Sequence, residues 1–329
     1  VEVEKAIQKE IKDIKPDLVY IIHFVNKLSP SVIRGAKKLG IPVILRLSDY
    51  FLLCPRFDFM YNKKPCEECL TKGYMSCIKK HCVKGSLFAS AIRVFSMKVH
   101  QMMNIYEDID AFITPSEYLK DKLIANGFDE KKITCIPTFT ASKSEVGEPC
   151  IGMYGLYFGR VTEEKGVDTV VKAYEMMPDR HVKIMGDDTT DEAKRLKDYI
   201  ADKKIKNVEF VGFKAGEELE EIIKGARFTL IPSIWYDNLP NTALESFQYS
   251  KPVIASNIGS LPELILDGVN GYLFKPGDPR ELCEKIKLLD DDDLVKEMGS
   301  ASRSRLEECF APETHYDALL SIFNKVKNI

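Results

Sequence analysis

Two carboxylates and two cations in this chain are spaced to handle a molecule that is phosphate on one side and sugar on the other. Asp237 sits in a polar, proline-containing stretch after the apolar run Arg227–Ile231, and Glu245 follows it. Pro240 suits the start of a helix, and Asn241, Leu244, Glu245 and Gln248 recur at helical spacing behind it. The stretch therefore reads as strand, loop, helix. Glu245 falls a little over one turn into that helix, on the face shared with Asn241 and Thr242. A helix start leaves N–H groups unpaired and carries partial positive charge. Phosphate is therefore expected at Leu239, Pro240, Asn241 and Thr242, with Glu245 offering hydroxyl acceptors beside it. Upstream, the apolar run Ile151–Phe158 leads into GRVTEEKGVDTVV, where Thr162 is expected to cap a helix and Lys165 to fall in its first turn. A cation there opposes the helix dipole and asks for an anion to offset it. Arg160, five residues earlier, reaches the same anion, setting two positive charges against a diphosphate.

Taken singly, a Glu after a proline loop and a basic pair are ordinary surface features, and it is the whole stretch Pro232–Glu263 that separates the readings. It resembles the signature of the retaining family 4 glycosyltransferases of GT-B fold. There, two acidic residues with seven others between them follow Pro-Ser and precede Gly-x-Pro-Val. Here the match is Pro232-Ser233, Asp237, Glu245, Ser250-Lys251-Pro252-Val253 and the turn Gly259–Glu263. Asp237 stands where that family usually has Glu, and Ser250 where it usually has Gly. Gly159, Arg160 and Lys165 match the family's diphosphate grip. The Val211-Gly212-Phe213 turn is similar to the place where the nucleotide base rests, which adds Gly212 and Phe213 as donor contacts. On the acceptor side Asp49 matches, Ser48 replaces a usual His, and His23 lies one place off a polar cluster at a strand end.

The resemblance implies a hexosyl-type transferase, independent of metal, with a nucleotide-sugar donor and a glycan, lipid-linked or small-molecule acceptor. Arg160, Lys165 and the helix start would stabilise charge on the leaving diphosphate. Glu245 would hold ribose or sugar hydroxyls, and Asp237 would orient the donor sugar. The front-face route implied for the family has no enzyme nucleophile.

The elements that must position these groups alternate strand and helix along both halves, which argues parallel sheets wrapped by helices. The fold class expected is α/β, with two Rossmann-like parallel-sheet domains facing a cleft and the first truncated at its N-terminal side. Residues 1–140 form the first domain, with a Cys-rich insertion at 54–82, residues 141–311 the second, and 312–329 a helix that crosses back. TFTASKSEVGEP, residues 138–149, reads as the linker. Ligands bind at the carboxyl ends of such strands, which puts His23, Ser48 and Asp49 at the mouth. Alternation of this kind also suits a dinucleotide oxidoreductase, but neither half has G-x-G-x-x-G after a strand with an acid some twenty residues on.

At 329 residues and 45% apolar content the chain can bury two cores, and its net charge of −3 gives no general attraction to nucleic acid. It has no run of apolar residues long enough to span a bilayer, and the compartment expected is the cytoplasm. Of nine cysteines, five crowd between Cys54 and Cys82. Cys66, Cys69, Cys77 and Cys82 leave two readings open, a structural zinc site and a set of reduced thiols. The first keeps alive a non-catalytic, zinc-bearing binding protein as the alternative function. The stretch Lys84–Tyr106 is a basic, apolar helix, read as core packing in preference to peripheral membrane contact.

Overall fold

The computed structural model describes residues 2–22, 29–140 and 151–327. Contacts divide the chain into two compact units, Val1–Pro137 with His315–Ile329, and Thr138–Thr314. His23 and most of the expected linker lie outside the described residues.

The first unit runs α1 (Glu2–Ile14), β1 (Val19–Ile21), α2 (Ser31–Lys37), β2 (Val43–Arg46), β3 (Met60–Tyr61), β4 (Lys64–Pro65), α3 (Glu68–Thr71), α4 (Met75–Lys79), α5 (Leu87–Met102), β5 (Ala111–Thr114), α6 (Glu117–Ile124) and β6 (Ile133–Cys135). Its sheet is parallel, in the order β1-β2-β5-β6. All four residues of β5 are buried, as expected for a strand covered on both faces. One of those covers is α14 (Pro312–Lys327), whose Ile322 and Val326 pack with Ile44, Ile113 and Ile136.

The second unit runs β7 (Tyr154–Phe158), α7 (Val167–Glu175), β8 (His181–Met185), α8 (Asp191–Lys203), β9 (Val208–Gly212), α9 (Glu217–Lys224), β10 (Ala226–Ile231), α10 (Asn241–Gln248), β11 (Val253–Ser256), α11 (Leu261–Leu264), β12 (Gly271–Phe274), α12 (Pro279–Leu288) and α13 (Asp292–Cys309); α14 (Pro312–Lys327) ends the described chain. This sheet is also parallel, in the order β12-β11-β10-β7-β8-β9. From β7 the chain builds outward to β8 and β9, then returns to lay β10 against the other edge of β7. The strand order thus reverses between β7 and β10, where open α/β sheets hold ligands at their carboxyl ends. Both units have the Rossmann-like arrangement the sequence suggests.

Three local expectations need correction. Thr162 does not cap a helix: its hydroxyl donates to Glu164 at 2.7 Å, residues Glu163–Lys165 form a 3-10 turn, and α7 starts only at Val167. Lys165 therefore does not stand in an α-helical first turn. The strand expected from Ile151 begins at Tyr154. Only one face of α5 is core, through Ser90, Val94 and Met97, while Phe88, Ile92, Phe95 and Met102 are exposed. At the surface, Asp291 accepts N–H groups at the start of α13 and Asp188 pairs with Lys197.

Candidate functional site

At the reversal point, three strand ends and one helix start surround a cavity of about 460 Å³. Gly159 and Arg160 come from the turn after β7, Gly186 and Asp187 from the end of β8, and Phe213 and Lys214 from the end of β9; Thr242 and Glu245 come from α10. Thr242 and Glu245 are three apart on one helix, so a single face presents both. Phe213 is 74% exposed although apolar, and it stands at the cavity rather than in the core. Gly212 beside it adopts a φ of 71° and turns the chain there. Behind the turn after β7, the buried hydroxyl of Tyr157 donates to the carbonyl of Arg160 and holds it in place.

Glu245 is half-buried, and its carboxylate has no hydrogen bond or ion pair among the described residues. Burial holds its carboxyl above the ordinary glutamate range. A carboxylate left without a protein partner in a cavity is available to accept from ligand hydroxyls. Arg160 is largely exposed and lies 3.6 Å from Glu164, its one close acid among the described residues, so its charge too is open to the cavity.

Lys165 and Asp237, expected on the phosphate and sugar sides of a ligand, meet each other instead. Lys165 Nζ lies 3.0 and 2.8 Å from the two Asp237 oxygens, and Ser233 Oγ donates to the same carboxylate at 2.7 Å. Asp237 is 5% exposed. The ammonium also sits 5.2 Å from the centre of the Trp235 ring, whose buried Nε1 has no partner among the described residues. Two further ties join the loops that carry this pair. Ile234 N–H donates to the carbonyl of Glu164 at 3.0 Å, and Gly166 passes so close to the Pro232 carbonyl that a Cβ there would stand 2.0 Å from its oxygen.

The turn after β11 braces the loop before α10 from the other side. Ser260 Oγ accepts the N–H of Leu239 at 2.7 Å and donates to the carbonyl of Asp237 at 2.9 Å. Leu239 has a φ of 58° and buries its side chain in the core beneath α10. This corrects the expected phosphate contact: the Leu239 N–H is already used and Pro240 has none. The first-turn N–H groups that remain are those of Asn241 and Thr242. Ser233, Trp235 and Ser260 were not singled out as site residues from the sequence, although all three lie within the stretch Pro232–Glu263. Ser250, in the place of the family's usual glycine, takes a φ of 52°, the left-handed conformation glycine adopts freely.

On the first unit, Ser48 and Asp49 stand just past the end of β2, where Asp49 accepts the N–H of Phe51 at 2.9 Å. The cysteines lie close enough to raise one another's pKa. Cys69 and Cys77 are each pushed up to about 12 by burial and neighbouring sulfurs, and Cys54 to about 11 chiefly by burial. Cys66 instead accepts from Lys80 at 3.6 Å. Among the described residues no group of three or more His, Cys, Asp or Glu is arranged to hold a metal ion.

Residues 152–305, nearly all of the second unit, match the family model described as glycosyl transferases group 1. Over 193 residues the chain is 29% identical to an uncharacterized glycosyltransferase of Methanocaldococcus jannaschii, an overlap of 58% of this chain and 52% of that relative. The chain thus spans about half the length of that curated relative. Among solved structures, a glycosyltransferase from Rickettsia africae superposes with a TM-score of 0.73 at 18% identity, covering 99% of this chain and 80% of that one. The Anabaena protein HepE, in complex with UDP, superposes with the same score of 0.73 at 17% identity, covering 98% of this chain and 82% of that one.

Proposed function

We propose that this chain, a GT-B-fold protein whose second unit is a group 1 glycosyl transferase domain, moves a hexosyl group from a nucleoside-diphosphate donor to an acceptor hydroxyl. The observation that carries this reading is the cavity at the strand reversal, where Arg160, the start of α10 and the unpaired Glu245 meet. Its volume suits a nucleotide-sized ligand. Arg160 and the N–H groups of Asn241 and Thr242 stabilise the diphosphate as the bond from its oxygen to the anomeric carbon breaks, a service that needs no metal. Glu245 accepts from hydroxyls of the ribose or the sugar, and Phe213 with Gly212 supports the base. Lys165 and Asp237 act as a pair at the sugar end, the lysine holding the carboxylate in the orientation that receives donor hydroxyls. In the retaining course the acceptor hydroxyl adds on the face the diphosphate leaves, and its proton passes to the departing phosphate oxygen. Asp49 and Ser48 belong to acceptor handling on the first unit.

Solved relatives of similar fold include HepE bound to UDP-glucose, so uridine donors are the first to try. Titration of the protein with UDP, GDP and ADP in the presence of a chelator tests the reading. One of them is expected to bind. Arg160→Ala should then weaken that binding by about 1.5–3 kcal/mol, the range for hydrogen bonds to charged groups. Its melting temperature should stay unchanged. No binding by any nucleoside diphosphate, or an Arg160→Ala protein that binds like the parent, overturns the assignment. The anomer released on slow donor hydrolysis, read by NMR, checks retention.

A further inference from the structure

We propose that the outer face of α5 seats this chain on an anionic lipid surface, an inference that stands on the first unit alone. Phe88, Ile92, Phe95 and Met102 fall within one narrow stripe of the helix and are 75%, 52%, 72% and 83% exposed. Side chains this large and this apolar are seldom left in a row against water. The helix buries Val94 and Met97 on its opposite side, so the stripe is not an unfilled part of the core.

Charge around the stripe decides what it meets. α5 contains no acidic residue. Between Tyr61 and Met103 the chain has eight lysines and arginines and only two acids, in a protein whose net charge is −3. Part of that charge borders the stripe. Lys84 precedes the helix and Lys98 lies on it, both exposed. Lys98 Nζ reaches 5.1 Å from the Tyr74 ring and Gln101 donates to the Tyr74 hydroxyl at 3.2 Å, which brings α4 alongside. There Met75 and Lys79, four apart and both exposed, continue the same combination of apolar and basic groups.

An apolar stripe edged by lysines is the arrangement with which a helix lies in a bilayer interface, its large side chains among the acyl chains and its cations at the phosphates. A second copy of this chain fits less well, because a symmetric contact through α5 would set lysines against lysines. No helix among the described residues is long and apolar enough to cross a membrane, so the contact would be peripheral.

Co-sedimentation with vesicles tests this. The parent should pellet with mixed phosphatidylcholine–phosphatidylglycerol vesicles, remain in solution with phosphatidylcholine alone, and be released by salt. The double variant Phe88→Ser, Phe95→Ser should lose binding roughly tenfold or more. Lys84→Glu with Lys98→Glu should lose it on the mixed vesicles. All four side chains lie at the surface, and circular dichroism should show the fold unchanged. A parent that ignores the mixed vesicles, or variants that bind them as the parent does, overturns the proposal. So does a parent that self-associates in sedimentation equilibrium through the same two phenylalanines, since the face would then join copies of the chain.

Discussion

Lys165 and Asp237 leave each other little room to act alone. Both side chains are mostly buried, 17% and 7% exposed, at an N–O distance of 2.8 Å. Removing one partner strands the other charge away from water, which typically costs about 3–5 kcal/mol. Lys165→Ala and Asp237→Ala are each expected near the lower end of that range by chemical denaturation, with the double variant well short of the sum. Additive losses would show that the two side chains do not depend on each other. Glu245 predicts the opposite behaviour. Its folded-state pKa is raised by burial, so the native state holds the proton more tightly than the unfolded chain does. The carboxyl's contribution is therefore most favourable below the ordinary glutamate range and is lost as pH rises through the raised value. Glu245→Gln should be as stable as the parent or more so at neutral pH, the gain shrinking as the pH falls, while nucleoside-diphosphate affinity drops by about 1.5–3 kcal/mol. Thermal melts across pH and a titration read the two effects separately. A variant less stable than its parent at neutral pH would mean that the carboxylate has a structural partner.

The element that sets the site is α10 together with the two turns that brace the loop before it. α10 is only eight residues long, too short to hold its own direction, so its entry loop must be fixed from outside. Ser260 does this by closing both the Leu239 N–H and the Asp237 carbonyl. Gly259 allows it, since its φ is 62° and a Cβ there would stand 2.9 Å from the Asp237 carbonyl oxygen. Gly259→Ala is expected to cost about 1–2 kcal/mol from the left-handed backbone alone, with more from the contact. Donor turnover should fall further than the loss of stability explains, because the displaced backbone is that of Asp237. Equal turnover in a variant that remains folded would detach the 259–260 turn from the site.

At the scale of the whole molecule, all the described residues that line the cavity beside Glu245 belong to the second unit. A nucleoside diphosphate should therefore protect that unit preferentially. At a concentration a hundred times Kd it should stabilise residues 138–314 by about 2.7 kcal/mol. Amide exchange should slow in β7, β10 and α10 and change little in β2 and β5. Equal slowing in both units would indicate that the nucleotide also engages the first. The first unit is where the basic charge is concentrated, around α4 and α5, so salt should affect its associations more than nucleotide binding.

The alternation of strand and helix, the Pro240 boundary of α10, and the shared face of Thr242 and Glu245 were all legible in the sequence. Each is a relation between residues within a few positions of one another, governed by the period of the element they occupy. The partnership of Lys165 with Asp237 was not legible. Those residues stand 72 positions apart, and only the order β10-β7 in the sheet makes their two loops neighbours. For the same reason the Leu239 N–H looked free at a helix start, when in fact Ser260, from beyond the next strand, had taken it. The composition of α5 showed how much apolar surface it carries but not which of its sides would be buried. That was settled by packing, which needed one face of the helix and left Phe88, Phe95 and Met102 outside.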